Sequence, residues 1–212
     1  MEGKLVLYAI CMLFLACAQS ACAQNPSALN RRVSAYLEEQ RRNWRDLNVP
    51  YEDGKLLHDL IVENGYTRAL EIGTSTGHSG IWIAWALSKT GGKLITLEID
   101  PGRHRQAVET FRKLGLDPYI DARLGNAHQL ARDVTGPFDF VFSDADKEWY
   151  KQYFLDVDPK LAVGGCFTAH NVTNPYGGIR EFLNHVQALP NYSTTIDGSS
   201  SSGVSISYKV RE

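Results

Sequence analysis

The chain has 212 residues, of which 43% are hydrophobic, enough for one well-packed domain and little more. Its 22 Lys and Arg residues and 24 Asp and Glu residues give a net charge of −2, which excludes a broad basic surface for nucleic acid and a strongly acidic disordered chain. Cys11, Cys17 and Cys22 lie close to the N-terminus, and only Cys166 lies in the body of the chain. A disulfide framework is therefore excluded there.

The N-terminal segment is predicted to be an export signal. The run from Leu5 to Cys17 carries no charge, but it is shorter than the roughly 20 residues of a membrane-spanning helix. An Ala-x-Ala pattern at Ala21 to Ala23 predicts cleavage after residue 23. Residues 24–212 are then a single, exported domain, periplasmic or secreted, with 24–49 as an N-terminal helical extension. Membrane anchoring, through lipidation of Cys17 or an uncleaved segment, stays open as the alternative.

The rest of the chain alternates between helical spacing and short apolar runs. The predicted helices are, in chain order, Arg31 to Trp44, Leu56 to Ile61, Ser79 to Leu87, Pro101 to Leu114 and Ile179 to Leu189. The predicted strands are Arg68 to Gly73, Lys93 to Glu98, Tyr119 to Leu124, Phe138 to Ser143, Cys166 to Ala169, Tyr192 to Ile196 and Val204 to Val210. This β-α-β alternation predicts an α/β fold, in which helices cover both faces of a parallel sheet with an antiparallel finish.

Ligands of such sheets bind beyond the carboxyl ends of the strands, so the residues after each strand are the candidates. A turn from Gly73 to Gly77 follows the first strand and allows close backbone approach to a ligand. It matches neither the dinucleotide fingerprint nor a P-loop, which favours a nucleotide-like ligand without phosphates. Glu98 follows the second strand and can accept hydrogen bonds from both ribose hydroxyls. Asn126 and Ala127 follow the third, where they either border an adenine ring or start a helix with Asn126 as its cap.

Charged residues follow the fourth and fifth strands. Burial of charged side chains costs free energy, so a functional role is expected for Asp144, Asp146 and Lys147. The alternative is that they form a charge cluster on the surface. Asp144 can bind a hard divalent cation, and Lys147 can take a proton from a substrate hydroxyl if its pKa is lowered. His170 and Asn171 offer an imidazole nitrogen and a neutral oxygen.

Five segments together resemble the S-adenosylmethionine-dependent O-methyltransferases, in particular the catechol and caffeoyl-CoA group and its bacterial members. They are Glu71-Ile72-Gly73, Gly77-His78-Ser79, Leu94 to Glu98, Asp144-Ala145-Asp146-Lys147 and Asn171. The resemblance implies the class I methyltransferase fold, a Rossmann-like, mostly parallel sheet of seven strands with an antiparallel C-terminal hairpin. It also implies S-adenosyl-L-methionine as cofactor and a small hydroxylated, catechol-like acceptor. Relatives are often homodimers, which is analogy only.

The resemblance assigns roles to individual residues. The residues that it implies for cofactor binding are Glu71, Gly73, Thr74, Gly77, Ser79, Glu98, Asn126, Ala127 and Asp144. Lys147 matches the general base, and Asp144 and His170 are the other catalytic candidates. A divalent metal would be held by Asp144, His170 and Asn171.

One position departs from the family pattern, because metal-dependent relatives have Asp where this chain has His170. Mg²⁺ prefers oxygen ligands, so the imidazole favours a softer ion such as Mn²⁺, Fe²⁺ or Zn²⁺. The alternative is a metal-free site with His170 as base or hydrogen-bond partner. In both cases the expected reaction is direct methyl transfer, accelerated mainly by orientation.

Four aromatic residues are candidates for the wall of an acceptor pocket: Trp44, Trp149, Tyr150 and Tyr176. Two other functional classes remain in view. An exported S-adenosylmethionine-binding protein without catalysis is compatible with His170 and with the export signal. An NAD-dependent oxidoreductase is disfavoured, because the third Gly of the dinucleotide fingerprint is missing.

Overall fold

The computed structural model describes residues 26–42 and 47–212. The predicted signal segment and Trp44 lie outside the described residues. Across the two described ranges, no helix is both long and apolar enough to cross a membrane.

Helices and strands alternate through the described residues as predicted. The α-helices are α1 (Pro26–Arg42), α2 (Tyr51–Asn64), α3 (His78–Thr90), α4 (Pro101–Leu114), α5 (Ala127–Asp133), α6 (Tyr150–Val157) and α7 (Gly177–Ala188). The strands are β1 (Arg68–Ile72), β2 (Lys93–Glu98), β3 (Ile120–Leu124), β4 (Phe138–Ser143), β5 (Leu161–His170), β6 (Tyr192–Asp197) and β7 (Val204–Lys209). Short 3₁₀ turns cover Asp117–Tyr119, Lys147–Trp149 and Asp158–Lys160.

The strands form one seven-stranded sheet in the order β3-β2-β1-β4-β5-β7-β6. The pairs from β3 to β5 are parallel, and β7 runs antiparallel to both β5 and β6. The predicted mostly parallel sheet with an antiparallel finish is confirmed. The chain moves outward from β1 to β3 and then returns to β4, so the strand order reverses between β1 and β4. A crevice opens at such a reversal, beyond the carboxyl ends of the strands.

Helices cover both faces of the sheet because alternate strand residues point to opposite sides. Leu70 and Val141 belong to a core shared with α5, α6 and α7. Ala69 and Phe140 belong to the opposite core, under α2 and α3. A third cluster packs α1 against α3 and α4. The central strands are buried on both faces, which is why they read as nearly continuous apolar runs.

Several elements differ from their predicted bounds: α1, α2 and β5 each begin five residues early, and α6 was not among the predicted helices. Helix α1 begins at Pro26 rather than Arg31, because the buried side chain of Leu29 extends the apolar stripe by one turn. Strand β5 begins at Leu161 rather than Cys166, because its pairing with β4 shifts register there. Gly164, at a φ of +84°, lies inside this irregular stretch, where its lack of a Cβ permits the bulge.

Candidate active site

A cavity of about 650 Å³ lies beyond the carboxyl ends of the central strands. Its lining contains most of the predicted site residues: Gly73, Thr74, Ser79, Glu98, Asn126, Ala127, Asp144, Lys147, His170 and Asn171. The fold therefore brings together residues that lie far apart in sequence. The volume falls within the usual range for small-molecule and cofactor sites.

The turn after β1 fits tightly between the ends of two neighbouring strands. The backbone N–H groups of Gly73 and Thr74 both donate to the carbonyl of Leu97, at 3.1 Å. Gly73 has a φ of +104°, and a Cβ there would lie 2.7 Å from the carbonyl oxygen of Asp144. Only glycine fits this position, and the tight turn directs Thr74 and Ser75 toward the cavity.

The carboxylate of Glu98 is held in place by two backbone donors. The N–H of Ser75 donates to one oxygen at 2.7 Å, and the N–H of Asp100 donates to the other at 2.8 Å. Each carboxylate oxygen keeps further acceptor capacity. A fixed, 7% exposed acceptor pair at the cavity wall is suited to two neighbouring hydroxyl groups, such as those of a ribose.

Both alternatives for Asn126 agree with its position. Its side chain caps α5 by accepting from the N–H of His128 at 2.9 Å, and the residue also lines the cavity. Asp100 caps α4 in the same way, since its carboxylate accepts from the N–H of Arg103 at 2.7 Å.

Two predicted cofactor residues lie behind the cavity rather than in its wall. Glu71 is fully buried, and its carboxylate accepts a hydrogen bond from the hydroxyl of Thr96. Burial raises the pKa of Glu71 to about 8. Gly77 has a φ of +92°, and a Cβ there would lie 2.8 Å from the ring of Phe111. In this structure both residues support the turn from behind, and their direct contact with the cofactor stays a prediction.

The charged residues after β4 and β5 form one cluster. Lys147 Nζ contacts Asp144 Oδ1 and lies 2.8 Å from the hydroxyl oxygen of Tyr150. Asp144 Oδ2 lies 3.1 Å from Nδ1 of His170. Burial by itself would raise the pKa of Asp144, but His170 and Lys147 hold it below its ordinary value.

A fourth charged residue of this cluster, Asp53, was missed by sequence reasoning. It lies in the first turn of α2, is completely buried, and places Oδ2 at 2.8 Å from Nε2 of His170. Burial would lower the pKa of His170, but hydrogen bonds with Asp144 and Asp53 raise it to about 9. Acidic residues are common in the first turn of any helix, so the sequence around Asp53 carries no signal of this role.

The predicted metal ligands do not fit a divalent ion well. Both ring nitrogens of His170 face carboxylates, and both oxygens of Asp144 already have basic partners. Asn171 adds only a neutral amide to the cavity wall. Among residues 26–42 and 47–212, no group of three or more His, Cys, Asp and Glu side chains is arranged to hold a metal ion. These contacts suit a divalent ion poorly, and metal binding by Asp144, His170 and Asn171 stays a prediction.

The predicted aromatic wall does not agree with the structure for the three described residues. Tyr150 is buried against Lys147, Trp149 stacks on the ring of His128 at 3.6 Å between centroids, and Tyr176 is 56% exposed. None of the three belongs to the cavity lining, whereas Tyr153 does.

The sheet and the position of its cavity define a class I methyltransferase fold. A family model described as O-methyltransferase matches residues 19–179, and the chain belongs to this family. The family recognised from the sequence motifs is thereby confirmed.

Curated relatives match part of the chain. A catechol O-methyltransferase of Niastella koreensis is 40% identical over 112 residues, which are 51% of this chain and 50% of that protein. A caffeoyl-CoA O-methyltransferase of Eucalyptus globulus is 32% identical over 133 residues, 60% of this chain and 54% of the relative. The matched region thus spans about half the length of these curated relatives.

Solved structures match nearly the whole chain. An O-methyltransferase from Bacillus cereus in complex with SAH has a TM-score of 0.70 and 28% identity, covering 90% of this chain and 94% of that one. An O-methyltransferase from Streptomyces achromogenes in complex with SAM has a TM-score of 0.69 and 25% identity, covering 92% and 95%.

Proposed function

We propose that the chain transfers the methyl group of S-adenosylmethionine to a hydroxyl group of a small, catechol-like acceptor. The observation that supports the proposal most directly is that Glu98, the Gly73 turn and Lys147 line the same cavity. Family membership supports methyl transfer to oxygen. The named catechol and caffeoyl-CoA relatives support a phenolic acceptor.

The cavity has the features that this cofactor needs. The fixed carboxylate of Glu98 offers acceptors for ribose hydroxyls, and the Gly73 turn permits close approach of the backbone. Four acidic residues line the cavity, Glu98, Asp100, Asp144 and Asp146, against three cationic ones, Arg103, Lys147 and His170. This excess of negative charge favours a ligand with a positively charged sulfonium.

The proposed chemistry is a single displacement. When bound, S-adenosylmethionine supplies a methyl group whose bond to sulfur breaks, with the electron pair left on sulfur, as the acceptor oxygen attacks. Lys147 first releases a proton from its ammonium group to solvent and then takes the proton of the acceptor hydroxyl at Nζ. The hydroxyl of Tyr150 and the carboxylate of Asp144 hold Nζ at the cavity wall. The cavity walls orient the two reactants, and orientation contributes most of the acceleration.

The proposal is tested with the purified full chain, S-adenosylmethionine labelled in its methyl group, and a panel of acceptors. The panel contains a catechol, a monophenol, an aliphatic diol and a caffeoyl-CoA ester. We expect label to appear on an oxygen of the catechol, with one S-adenosylhomocysteine formed per methyl transferred. Binding of S-adenosylhomocysteine without transfer to any acceptor would favour the non-catalytic alternative. Absence of binding would contradict both.

We also propose that the protein is exported, on the basis of its uncharged N-terminal run and the Ala-x-Ala pattern at residues 21–23. The test is to express the chain in a bacterium, recover the protein from the periplasm and the medium, and determine its N-terminal residue. Gln24 is the expected result. A mature N-terminus at Cys17 carrying lipid would establish anchoring instead.

A further inference from the structure

Asp53 is a buried carboxylate that needs a positively charged partner. Its side chain has no solvent exposure, and its Oδ2 accepts from the hydroxyl of Ser200 at 2.7 Å. A hydroxyl does not neutralise the charge of a buried carboxylate, and such a charge is costly when it stays unpaired. Among the described residues, the basic group that forms an ion pair with Asp53 is His170.

His170 faces a carboxylate at each ring nitrogen. Nε2 lies 2.8 Å from Asp53 Oδ2, and Nδ1 lies 3.1 Å from Asp144 Oδ2. A neutral imidazole has one N–H and one lone pair, so it would point its lone pair at one of the two anionic oxygens. That arrangement is repulsive unless a positive charge lies in the gap. An imidazolium, which donates from both nitrogens, satisfies both carboxylates at once.

The charges of the cluster balance when His170 is an imidazolium. Asp53 and Asp144 contribute two negative charges, and Lys147 and protonated His170 contribute two positive ones. A divalent ion bound to a neutral His170 would leave this largely buried cluster with an excess positive charge. It would also share the carboxylate of Asp144 with the ammonium group of Lys147. Mg²⁺ sites usually offer one or two carboxylates that are free to coordinate.

We propose that the His170 side chain, clamped between Asp53 and Asp144, supplies the positive charge that a metal ion would otherwise supply, so that the site works without a divalent metal. Asp53 is then a positioning residue, which touches neither cofactor nor acceptor but fixes the ring of His170. The inference rests on the proposed methyl transfer, but metal binding is measured without turnover. Its failure is therefore distinguishable from failure of the proposed function.

The first test is a titration of the full chain with Mn²⁺ alone. The concentration of unbound Mn²⁺ is measured at each step from its electron paramagnetic resonance signal. The variant is the double substitution Asp53→Asn and His170→Asp, which supplies a second carboxylate beside Asn171 without leaving Asp53 as an unpaired buried charge. The control is His185→Asp, the same exchange on α7. We expect no saturable binding at micromolar Mn²⁺ by the wild type or the control, and at least tenfold tighter binding by the double variant.

Each result of the titration decides a part of the proposal. Saturable one-to-one binding of Mn²⁺ by the wild type at micromolar concentration would overturn the metal-free site. A folded double variant that binds Mn²⁺ no better than the wild type would overturn the assignment of His170 as the group that excludes the metal. If the double variant does not fold, methyl transfer by the wild type in excess chelator decides instead. Unchanged activity supports the proposal, and loss that Mn²⁺ restores contradicts it.

The second test addresses the positioning role of Asp53. Nitrogen chemical shifts of the imidazole distinguish an imidazolium with two N–H groups from either neutral tautomer. We expect the imidazolium signature of His170 at neutral pH in the wild type, and its loss in Asp53→Asn at the same pH. In the same variant kcat should fall while the KM for S-adenosylmethionine changes less than twofold. A neutral tautomer in the wild type would contradict the proposal.

Discussion

The backbone of Gly73 packs against the carbonyl of Asp144 so closely that a Cβ on Gly73 would lie 2.7 Å from that oxygen. This contact joins the Gly73 turn after β1 to the start of the charged cluster after β4. The two halves of the cavity therefore meet at one closely packed junction, at the point where the strand order reverses.

We expect Gly73→Ala to damage both stability and ligand binding. Gly91 provides the matched control, because it also has a positive φ (+79°) but a Cβ there would meet nothing within 4 Å. Gly91→Ala should cost about 1 to 2 kcal/mol of unfolding free energy for the left-handed backbone alone. Gly73→Ala should cost more and weaken S-adenosylhomocysteine binding by at least tenfold, as measured by denaturant unfolding and calorimetry. Equal behaviour of the two variants would show that the junction does not matter.

Glu98→Gln should weaken cofactor binding while leaving the fold intact. Hydrogen bonds to a charged group contribute about 1.5 to 3 kcal/mol, so we expect about a 10- to 100-fold rise in the Kd for S-adenosylhomocysteine. The control is Glu109→Gln on the exposed side of α4, which should leave the Kd unchanged. An unchanged Kd of Glu98→Gln for S-adenosylhomocysteine would show that Glu98 does not contribute to cofactor binding.

Lys147→Met should separate binding from chemistry. Without a proton acceptor at Nζ, kcat for a catechol should fall about 10²- to 10⁴-fold, whereas the Kd for S-adenosylhomocysteine should change little. Lys151→Met provides the comparison, since Lys151 lies on α6 and pairs with Glu181 outside the cavity. Full activity of Lys147→Met in a steady-state assay would show that a group other than Lys147 acts as the base.

Glu71 should make stability depend on pH in a defined direction. Burial raises its pKa from 4.5 to about 8, so the folded state holds this proton more tightly than the unfolded state. The stabilising contribution is therefore complete below pH 4.5 and is lost as the pH rises toward 8. Across that window, the wild type should lose up to about 1.4 kcal/mol of unfolding free energy per pH unit relative to Glu71→Gln.

The Glu71 prediction is checked by denaturant unfolding of both proteins at pH 5, 6, 7 and 8. Glu109→Gln serves as the control and should follow the wild type at every pH. Parallel curves for the wild type and Glu71→Gln would show that Glu71 ionises normally in the fold. Because Glu71 lies behind the cavity, its neutral replacement should retain S-adenosylhomocysteine binding.

Much of the fold was predictable because its signals are local. β4 was predicted with the bounds that it has, since an apolar run after a Gly-Pro pair leaves little choice. The strand-end rule then placed Glu98, Asp144 and Lys147 at one cavity without any knowledge of their contacts. Such residues are predictable because topology, rather than side-chain packing, brings them together.

The parts that sequence reasoning missed depend on contacts across the sheet. Asp53 contacts His170, which lies 117 residues away in sequence. Nothing in the segment around Asp53 distinguishes it from an ordinary acidic residue at a helix start. The resemblance assigned Glu71 to the cofactor, but it gave no sign that burial places the carboxyl group against Thr96, behind the cavity. Tyr150 was expected in the acceptor wall, yet its position in the first turn of α6 buries its ring.

The central claim is that the cavity between the Gly73 turn and Glu98 binds S-adenosylmethionine. It is tested most directly by calorimetric titration of S-adenosylhomocysteine into the full chain, once in excess chelator and once with Mn²⁺. We predict saturable binding with one site per chain and the same Kd in both titrations. Absence of binding by the folded protein, with normal binding by a control methyltransferase under the same conditions, would contradict the claim.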